Sequence, residues 1–272
     1  MFRQDQHRSK RAGAFAMLEL IFHSSVRNIR KSHGNAIVGL VITIVQSVIM
    51  VLVFMFMMSY LGGGNRGIRG DPLLYVMSGV FMFMTHTKTI SAVAKSDGPT
   101  AAMMKHSPMN PIVAIAAAAL ATLYQQILSV VVILFFYHAL INPITIDQPV
   151  GAFMMMLLAW GSGIAIGMVF KAATPWAPEA FGIATNVYSR INMIASGKMF
   201  VANATPTWIL AWFWWNPLFH IIDQSRGFIF LNYDPHYSTI AYPVKVTIAI
   251  FMIGLMMENY TRRHASVSWG AR

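Results

Sequence analysis

The residues best suited to bind a polar ligand lie in one stretch that mixes tryptophans with charged and polar side chains. It runs from Trp212 to Arg226 and reads WFWWNPLFHIIDQSR. Aromatic rings pair an apolar face with a polar edge, so Trp212 and Trp215 could stack on the faces of sugar rings. The alternative is a tryptophan belt at a membrane–water interface, where this residue is enriched. The candidate contact residues of the stretch are Trp212, Trp215, His220, Asp223 and Arg226.

Covalent chemistry has little support in the rest of the sequence. The chain has no cysteine, and its nine histidines do not follow the spacing of metal ligands. It has neither a GxxxxGK[ST] phosphate loop nor an HExxH zinc motif. Nine acidic residues, most of them between apolar runs, leave little material for a pair of catalytic carboxylates. We therefore expect a non-enzymatic chain that draws energy from a partner or from an ion gradient.

The composition is that of an integral membrane protein. Hydrophobic residues make up 56% of the chain and charged residues only 11%, whereas a soluble domain carries about 25% charged residues. The net charge of +11 comes mainly from basic residues at the chain ends and in short loops. That distribution is typical of membrane insertion and argues against nucleic-acid binding.

The apolar runs predict six membrane-spanning helices, since about 20 apolar residues cross the hydrocarbon layer. The expected fold class is an all-α integral membrane protein with an amphipathic helix before the first span. The predicted domains are a cytoplasmic tail and interface helix at 1–35, a transmembrane domain at 36–258 and a second cytoplasmic tail at 259–272. The predicted spans are 36–61, 73–94, 112–141, 150–170, 179–201 and 240–257.

The interface helix is predicted over residues 14–33. Phe15, Leu18, Phe22 and Val26 recur every three or four residues, which places them on one face of a helix. Most of the charged residues lie off that face. Such a helix lies in the plane of the membrane interface, with its apolar face buried among the lipids.

Residues 206–231 are apolar enough to enter a membrane, but a seventh crossing would place the two basic chain ends on opposite sides. The positive-inside rule places both ends in the cytoplasm, so an even number of crossings is favoured. Asn216-Pro217 also interrupts any continuous helix in this segment. We therefore expect a re-entrant external hairpin, which is tolerated only when it is buried in protein or lines a wet cavity.

Three charged residues within the apolar part of the chain are candidates for a function. Asp223 and Arg226 are three residues apart, so they can form an ion pair on a helix, in either a functional or a structural role. Arg190 lies near the middle of the fifth predicted span. A cation is costly at the centre of a bilayer, so we expect Arg190 to face a conduit or a partner.

The stretch from Trp215 to Arg226 resembles the W-N-P-L-x-H segment, with its following acidic and basic residues, of a known family. That family comprises the membrane subunits of type-2 ABC exporters for capsular polysaccharide or O-antigen. The segment from Lys105 to Pro111 is similar to the family's connector between its second and third spans.

The resemblance implies a homodimer that works with two ATP-binding subunits, which hold ATP and Mg while this chain binds no cofactor. It implies that the interface helix and the connector contact those subunits. A lipid-linked polysaccharide would then cross the bacterial inner membrane and pass to periplasmic and outer-membrane export proteins, with membrane lipids around the chain. The implied coupling residues are Arg27, Arg30, Lys31, Lys105, Pro108, Asn110 and Pro111.

Three other functions compete with glycan export. A type-2 ABC permease for another cargo, such as a drug or a lipid, would share the same fold. A membrane enzyme acting on lipid-linked substrates would need a cluster of acidic or histidine residues at a membrane edge. An ion-coupled carrier would usually show an internal repeat, and the sequence has no convincing one.

Overall fold

The computed structural model describes residues 10–31, 35–60, 70–97 and 111–264. Every long element in these ranges is an α-helix, and a single 3-10 turn covers Ala202–Ala204. The helices are α1 (Lys10–Lys31), α2 (Ala36–Tyr60), α3 (Pro72–Ala94), α4 (Pro111–Leu140), α5 (Pro149–Ala173), α6 (Pro178–Ala195), α7 (Thr207–Leu210), α8 (Pro217–Ile229) and α9 (Ala241–His264).

Proline marks the start of five of these helices. Its fixed φ and missing N–H suit the first helical position, where no intrahelical partner exists for the amide. Among the described residues, two of the five also have a side-chain cap. Asp71 accepts hydrogen bonds from the amides of Leu73 at 2.8 Å and Leu74 at 3.2 Å. Asn216 accepts one from the amide of Leu218 at 3.0 Å, so the Asn-Pro pair begins a helix.

Four of the described helices are long and apolar enough to cross a membrane. They cover Ile37–Met57, Pro111–Leu140, Pro149–Ala173 and Ala241–His264. Only 17% of the apolar window of α9, and 28% of those of α2 and α4, is buried inside the chain. Apolar surface on this scale is unfavourable in water and natural in lipid. The chain is a multi-pass integral membrane protein.

Helix α3 is more polar than α2, α4 and α5, and it lies along α5 from end to end. Near the middle, His86 Nδ1 is 2.8 Å from Ser162 Oγ. At the far end, Lys171 Nζ donates to the carbonyl oxygen of Asp97 at 3.0 Å. The two helices approach closely at Gly163, where an added Cβ would lie 2.7 Å from the carbonyl oxygen of His86. The polar residues of α3 are thus enclosed by protein.

Most helix ends agree with the sequence prediction within a few residues, and two do not. Helix α6 ends at Ala195 instead of near Val201, because Gly197 takes a φ of 68° and turns the chain away. Helix α9 continues to His264, beyond the predicted end of the transmembrane domain at 258. There, Trp176 Nε1 donates to Thr261 Oγ1 at 3.0 Å, which fixes the end of α9 beside the loop after α5.

The chain between α6 and α9 leaves and returns at the same end of the helical bundle. Asn216 Nδ2 donates to the carbonyl oxygen of Ala195, the last residue of α6, at 2.8 Å. Tyr242, at the start of α9, donates to the carbonyl oxygen of Trp215 at 2.7 Å. This topology is the one that the hairpin hypothesis requires. The count of six crossings and the depth of the hairpin stay predictions.

Candidate functional site

The strongest candidate site is the buried face of α8 and the two irregular segments that hold it. Arg226 is among the largest fully buried side chains of the described residues, with 1% of its surface exposed. Its Nη1 donates to the carbonyl oxygen of Phe200 at 2.7 Å, and its Nη2 donates to that of Lys198 at 2.6 Å. Its Cζ lies 4.1 Å from the centre of the Tyr75 ring. Carbonyl dipoles and an aromatic face thus stabilise the guanidinium.

Asp223 is equally buried and faces different neighbours. Its carboxylate accepts a hydrogen bond from Ser238 Oγ at 2.7 Å and another from the Tyr233 hydroxyl. Both donors lie in the return segment between α8 and α9. The two hydroxyl donors satisfy the hydrogen-bonding capacity that burial would otherwise leave unmet. Asp223 therefore ties the return segment to α8.

The predicted ion pair between Asp223 and Arg226 is wrong. Within the described ranges, neither residue forms an ion pair, although their spacing on α8 would allow one. The reason is that α8 lies between two segments rich in hydrogen-bonding groups. Arg226 finds carbonyl oxygens on the side of α6, and Asp223 finds hydroxyls on the side of α9. The two charges fasten α8 to opposite neighbours.

Asn216 and His220 complete the polar contacts of α8. Asn216 Nδ2 donates to Asn192 Oδ1 at 2.9 Å as well as to Ala195. The amide of Thr239 donates to His220 Nδ1 at 3.1 Å, and His220 Nε2 is 2.9 Å from the carbonyl oxygen of Trp214. These partners require the neutral tautomer with its proton on Nε2. Both ring nitrogens of His220 therefore take part in structural hydrogen bonds.

The tryptophans before α8 project away from this buried face. Trp212 is 73% exposed, and Trp214 and Trp215 are each 60% exposed. The structure therefore separates the candidate residues into a buried polar set (His220, Asp223 and Arg226) and an exposed aromatic set (Trp212 and Trp215). The exposure of Trp212 and Trp215 fits either a membrane-interface belt or a surface that contacts a ligand or another chain.

Arg190 is not part of the α8 cluster. It is exposed on α6, a helix of which most of the surface is uncovered in the single chain. Ile183, Val187, Ile191 and Ile194 on the same helix are also exposed. A cation amid exposed apolar residues needs a partner or a wet cavity if this surface lies in a membrane.

Lys198 is a buried cation that the sequence analysis did not single out. Its Nζ donates to the carbonyl oxygen of Met193 at 2.7 Å and lies 3.5 Å from the centre of the Phe83 ring. Its own carbonyl oxygen is one of the acceptors of Arg226. Ser196-Gly197 directly before it was the available signal, because glycine commonly ends a helix.

A second polar group at the centre of the bundle also escaped prediction. His86 on α3 contacts Ser162 on α5 through Nδ1, and its Nε2 is 3.2 Å from the Tyr188 hydroxyl on α6. One imidazole thus joins three helices. This histidine has a packing role that depends on both of its ring nitrogens.

Of the coupling residues, two can be described. Arg27 is exposed on α1, and Pro111 is buried at the start of α4. The side chains of Arg30 and Lys31, and all of Lys105, Pro108 and Asn110, lie outside the described residues. No cluster of three or more His, Asp or Glu side chains suited to a metal ion occurs in the described part of the chain.

Comparison with known proteins supplies the family. No curated protein sequence matches the chain. The family model described as "ABC-2 type transporter" matches residues 19–230, which is well over half of the sequence and includes α2 to α8. The family consists of transporter membrane components, and it implies a partner subunit that binds ATP. The chain belongs to the ABC-2 type transporter family and is the transmembrane subunit of an ABC transporter.

Proposed function

We propose that this subunit exports a lipid-linked capsular polysaccharide, or a similar glycan, across the bacterial inner membrane. The observation that carries the proposal is the arrangement around α8. Buried contacts of Arg226 and Asp223 fix this helix at one end of the bundle, and the segment before it presents Trp212 and Trp215 with their rings exposed. Exposed indole rings at a fixed position can stack on sugars.

The proposed topology has six crossings with both termini in the cytoplasm. Helix α3 lies along α5 throughout, and α5 is long and apolar enough to span the membrane. The polarity of α3 is compatible with a crossing because the other helices enclose it. Residues 196–240 return to the end of the bundle where they began, which fits an external re-entrant hairpin.

We expect two copies of the chain to form the conduit. Arg190 and the apolar residues around it on α6 need to be covered in a membrane. A second copy related by two-fold symmetry would cover this surface and bring two Arg190 side chains to the axis. Arg190 would then line the path of an anionic glycan carrier.

Coupling to ATP hydrolysis would occur at the opposite end of the bundle. Helix α1 presents Arg27 there, and α3 ends and α4 begins on the same side, so the connector that contains Lys105 would be reached from there. ATP and Mg would be held by the partner subunit, which would push on α1 and on this connector. On the external side, the glycan would pass to periplasmic and outer-membrane export proteins.

A permease for another cargo, such as a drug or lipid, is the second candidate, because exposed tryptophans suit an interface belt as well. Reconstitution with the neighbouring ATP-binding subunit tests the two. Glycan export predicts ATPase activity that lipid-linked glycan stimulates, and loss of surface glycan in a deletion strain. A deletion strain with normal surface glycan would contradict the proposal and favour another cargo.

Substitutions separate the roles of the two groups of candidate residues. Trp212→Leu together with Trp215→Leu should reduce glycan export severalfold while leaving the folded transporter and its basal ATPase activity intact. Trp208→Leu is a suitable control, because Trp208 is also exposed and precedes this group. Equal export by both variants would show that the rings at 212 and 215 do not contact cargo.

A further inference from the structure

An open cavity lies where α1 meets the end of α3 and the first half of α4. Its volume is about 420 Å³, within the usual range for ligand sites. Two basic side chains, Arg27 and Lys95, line it together with one acidic residue, Asp97. Both basic residues are exposed, so their charges are accessible from the side of α1. The cavity therefore suits a small anionic group.

The wall of this cavity is held in place from behind. Lys171 on α5 is buried, and its Nζ donates to Ser96 Oγ at 2.9 Å and to the carbonyl oxygen of Asp97 at 3.0 Å. The residues after α3 are thus fastened to α5. A site with one fixed wall loses less conformational entropy when a ligand binds.

An apolar groove continues from the cavity into the bundle. It lies between α1, α2 and α4, has a volume of about 630 Å³ and shares Ile29 and Ala121 with the cavity. Its other lining residues are nearly all apolar and include Leu18, Phe22, Leu40 and Ile127. The charged cavity and the apolar groove therefore adjoin each other at Ile29 and Ala121.

The dimensions match one leaflet of a bilayer. Along α4 the cavity begins at Ala114 and the groove ends at Ile127. At 1.5 Å per residue this distance is roughly 20 Å, and half of the hydrocarbon layer is about 15 Å thick. Helix α1 lines both parts, which overlap between Leu120 and Gln125 of α4, and the groove reaches Ile127 near the middle of that helix.

We propose that the cavity and the groove together bind one anionic phospholipid. Arg27 and Lys95 contact its phosphate, and an acyl chain occupies the groove beneath Leu18 and Phe22. A free phosphate would occupy the cavity alone. A neutral lipid would gain no net attraction from the charges of Arg27 and Lys95. The lipid is a resident of the fold that fastens α1 to α3 and α4, and its binding is independent of which cargo the transporter moves.

The test uses the purified full-length chain in an uncharged detergent, titrated separately with phosphatidylglycerol, phosphatidylcholine and inorganic phosphate. Native mass spectrometry measures binding, and the thermal midpoint measures stabilisation. We expect phosphatidylglycerol to bind at least about tenfold more tightly than phosphatidylcholine and to raise the midpoint, since a ligand that binds only the folded state stabilises it.

Variants locate the site. Arg27→Gln combined with Lys95→Gln should weaken phosphatidylglycerol binding about tenfold or more, because charge-assisted contacts to phosphate are lost. Leu18→Ser combined with Phe22→Ser should weaken long-chain lipid but not a short-chain analogue, and both positions are exposed enough to tolerate the change. Arg263→Gln is the control, because Arg263 is exposed on α9 at the same end of the bundle, away from the cavity.

Four results would overturn the proposal. They are equal binding of phosphatidylglycerol and phosphatidylcholine, inorganic phosphate binding as tightly as phosphatidylglycerol, unchanged binding by the Arg27 and Lys95 variant, and displacement of the lipid by the ATP-binding subunit. The last result would identify the surface as a protein contact. The first three results can occur whether or not the transporter exports a glycan, so they separate the two proposals. The fourth would leave Arg27 to the ATP-binding subunit, as in the proposed coupling.

Discussion

The guanidinium of Arg226 lies 4.1 Å from the centre of the Tyr75 ring and joins α8 to α3 across 151 residues of sequence. The same guanidinium holds the chain after α6 through the carbonyl oxygens of Lys198 and Phe200. One cation therefore holds three segments together at one end of the bundle. Five donors in a planar group allow arginine to do this, and lysine lacks that geometry.

Replacement of Arg226 should destabilise the fold strongly. Arg226→Met leaves two buried carbonyl oxygens without donors, and we expect a loss of about 3 kcal/mol or more. Arg226→Lys should be nearly as harmful, because one ammonium cannot satisfy both carbonyls and stack on Tyr75. Thermal unfolding in detergent measures the effect. Arg262→Met is the matched control on an exposed position of α9 and should change stability little.

Asp223 should couple to Ser238 and not to Arg226. A double-mutant cycle with Asp223→Asn and Ser238→Ala should give a coupling energy of about 1.5–3 kcal/mol, the range for a hydrogen bond to a charged group. A second cycle with Asp223→Asn and Arg226→Met should give a smaller one. A large coupling in the second cycle and none in the first would restore the ion pair that the structure lacks.

Glycines of α5 should differ sharply in their tolerance of alanine. At Gly163 a Cβ would lie 2.7 Å from the carbonyl oxygen of His86, and backbone cannot easily move away. Gly163→Ala should therefore cost about 1–3 kcal/mol, the usual range for overpacking. Gly161→Ala lies two residues earlier with nothing within 4 Å and should be neutral or slightly stabilising. Equal thermal midpoints for both variants would contradict the close approach of α3 and α5.

The folded state should become less stable as the pH decreases, because of Asp71. Partial burial raises its pKa, but hydrogen bonds from Tyr137 and from the amides of Leu74 and Leu73 outweigh this and hold the pKa below its usual value of 3.8. A carboxyl group with a lower pKa in the folded state stabilises that state above its unfolded pKa. This stabilisation is lost as the pH falls below about 4 through the folded pKa.

Asp71→Asn isolates that contribution, because asparagine also caps helices well. Its thermal midpoint should vary less between pH 6 and pH 3 than that of the unaltered chain. Asp147→Asn is a suitable control, since Asp147 is exposed in the loop before α5. An unchanged slope in the Asp71 variant would show that the carboxylate does not carry the pH dependence.

The sequence predicts the helices well and the contacts of the site poorly. Apolar runs and prolines such as Pro72 and Pro149 are local signals, so helix starts agree within a few residues. The contacts of Arg226 are not local. Its acceptors are backbone carbonyl oxygens 26 and 28 residues earlier, which have no signature in side-chain composition. The i,i+3 spacing therefore suggested Asp223 as the nearest partner, incorrectly.

The sequence also did not predict which side chains of the site are exposed. Trp215 and Asn216 are neighbours, yet the tryptophan ring is 60% exposed and the asparagine is 2% exposed. Which of the two faces the bundle depends on where α8 starts relative to α6. The early end of α6 at Ala195 sets that relation, and it follows from the turn at Gly197.

The early end of α6 has a consequence for the order in which the nascent chain assembles. All of the groups that hold Arg226 precede it in the sequence, so they have left the ribosome when α8 emerges. Those that hold Asp223, Tyr233 and Ser238, emerge afterwards. Since chains fold from the N-terminal side during synthesis, α8 can dock first through its arginine. The loop that follows α8 then closes over the aspartate as the final helix enters the bilayer.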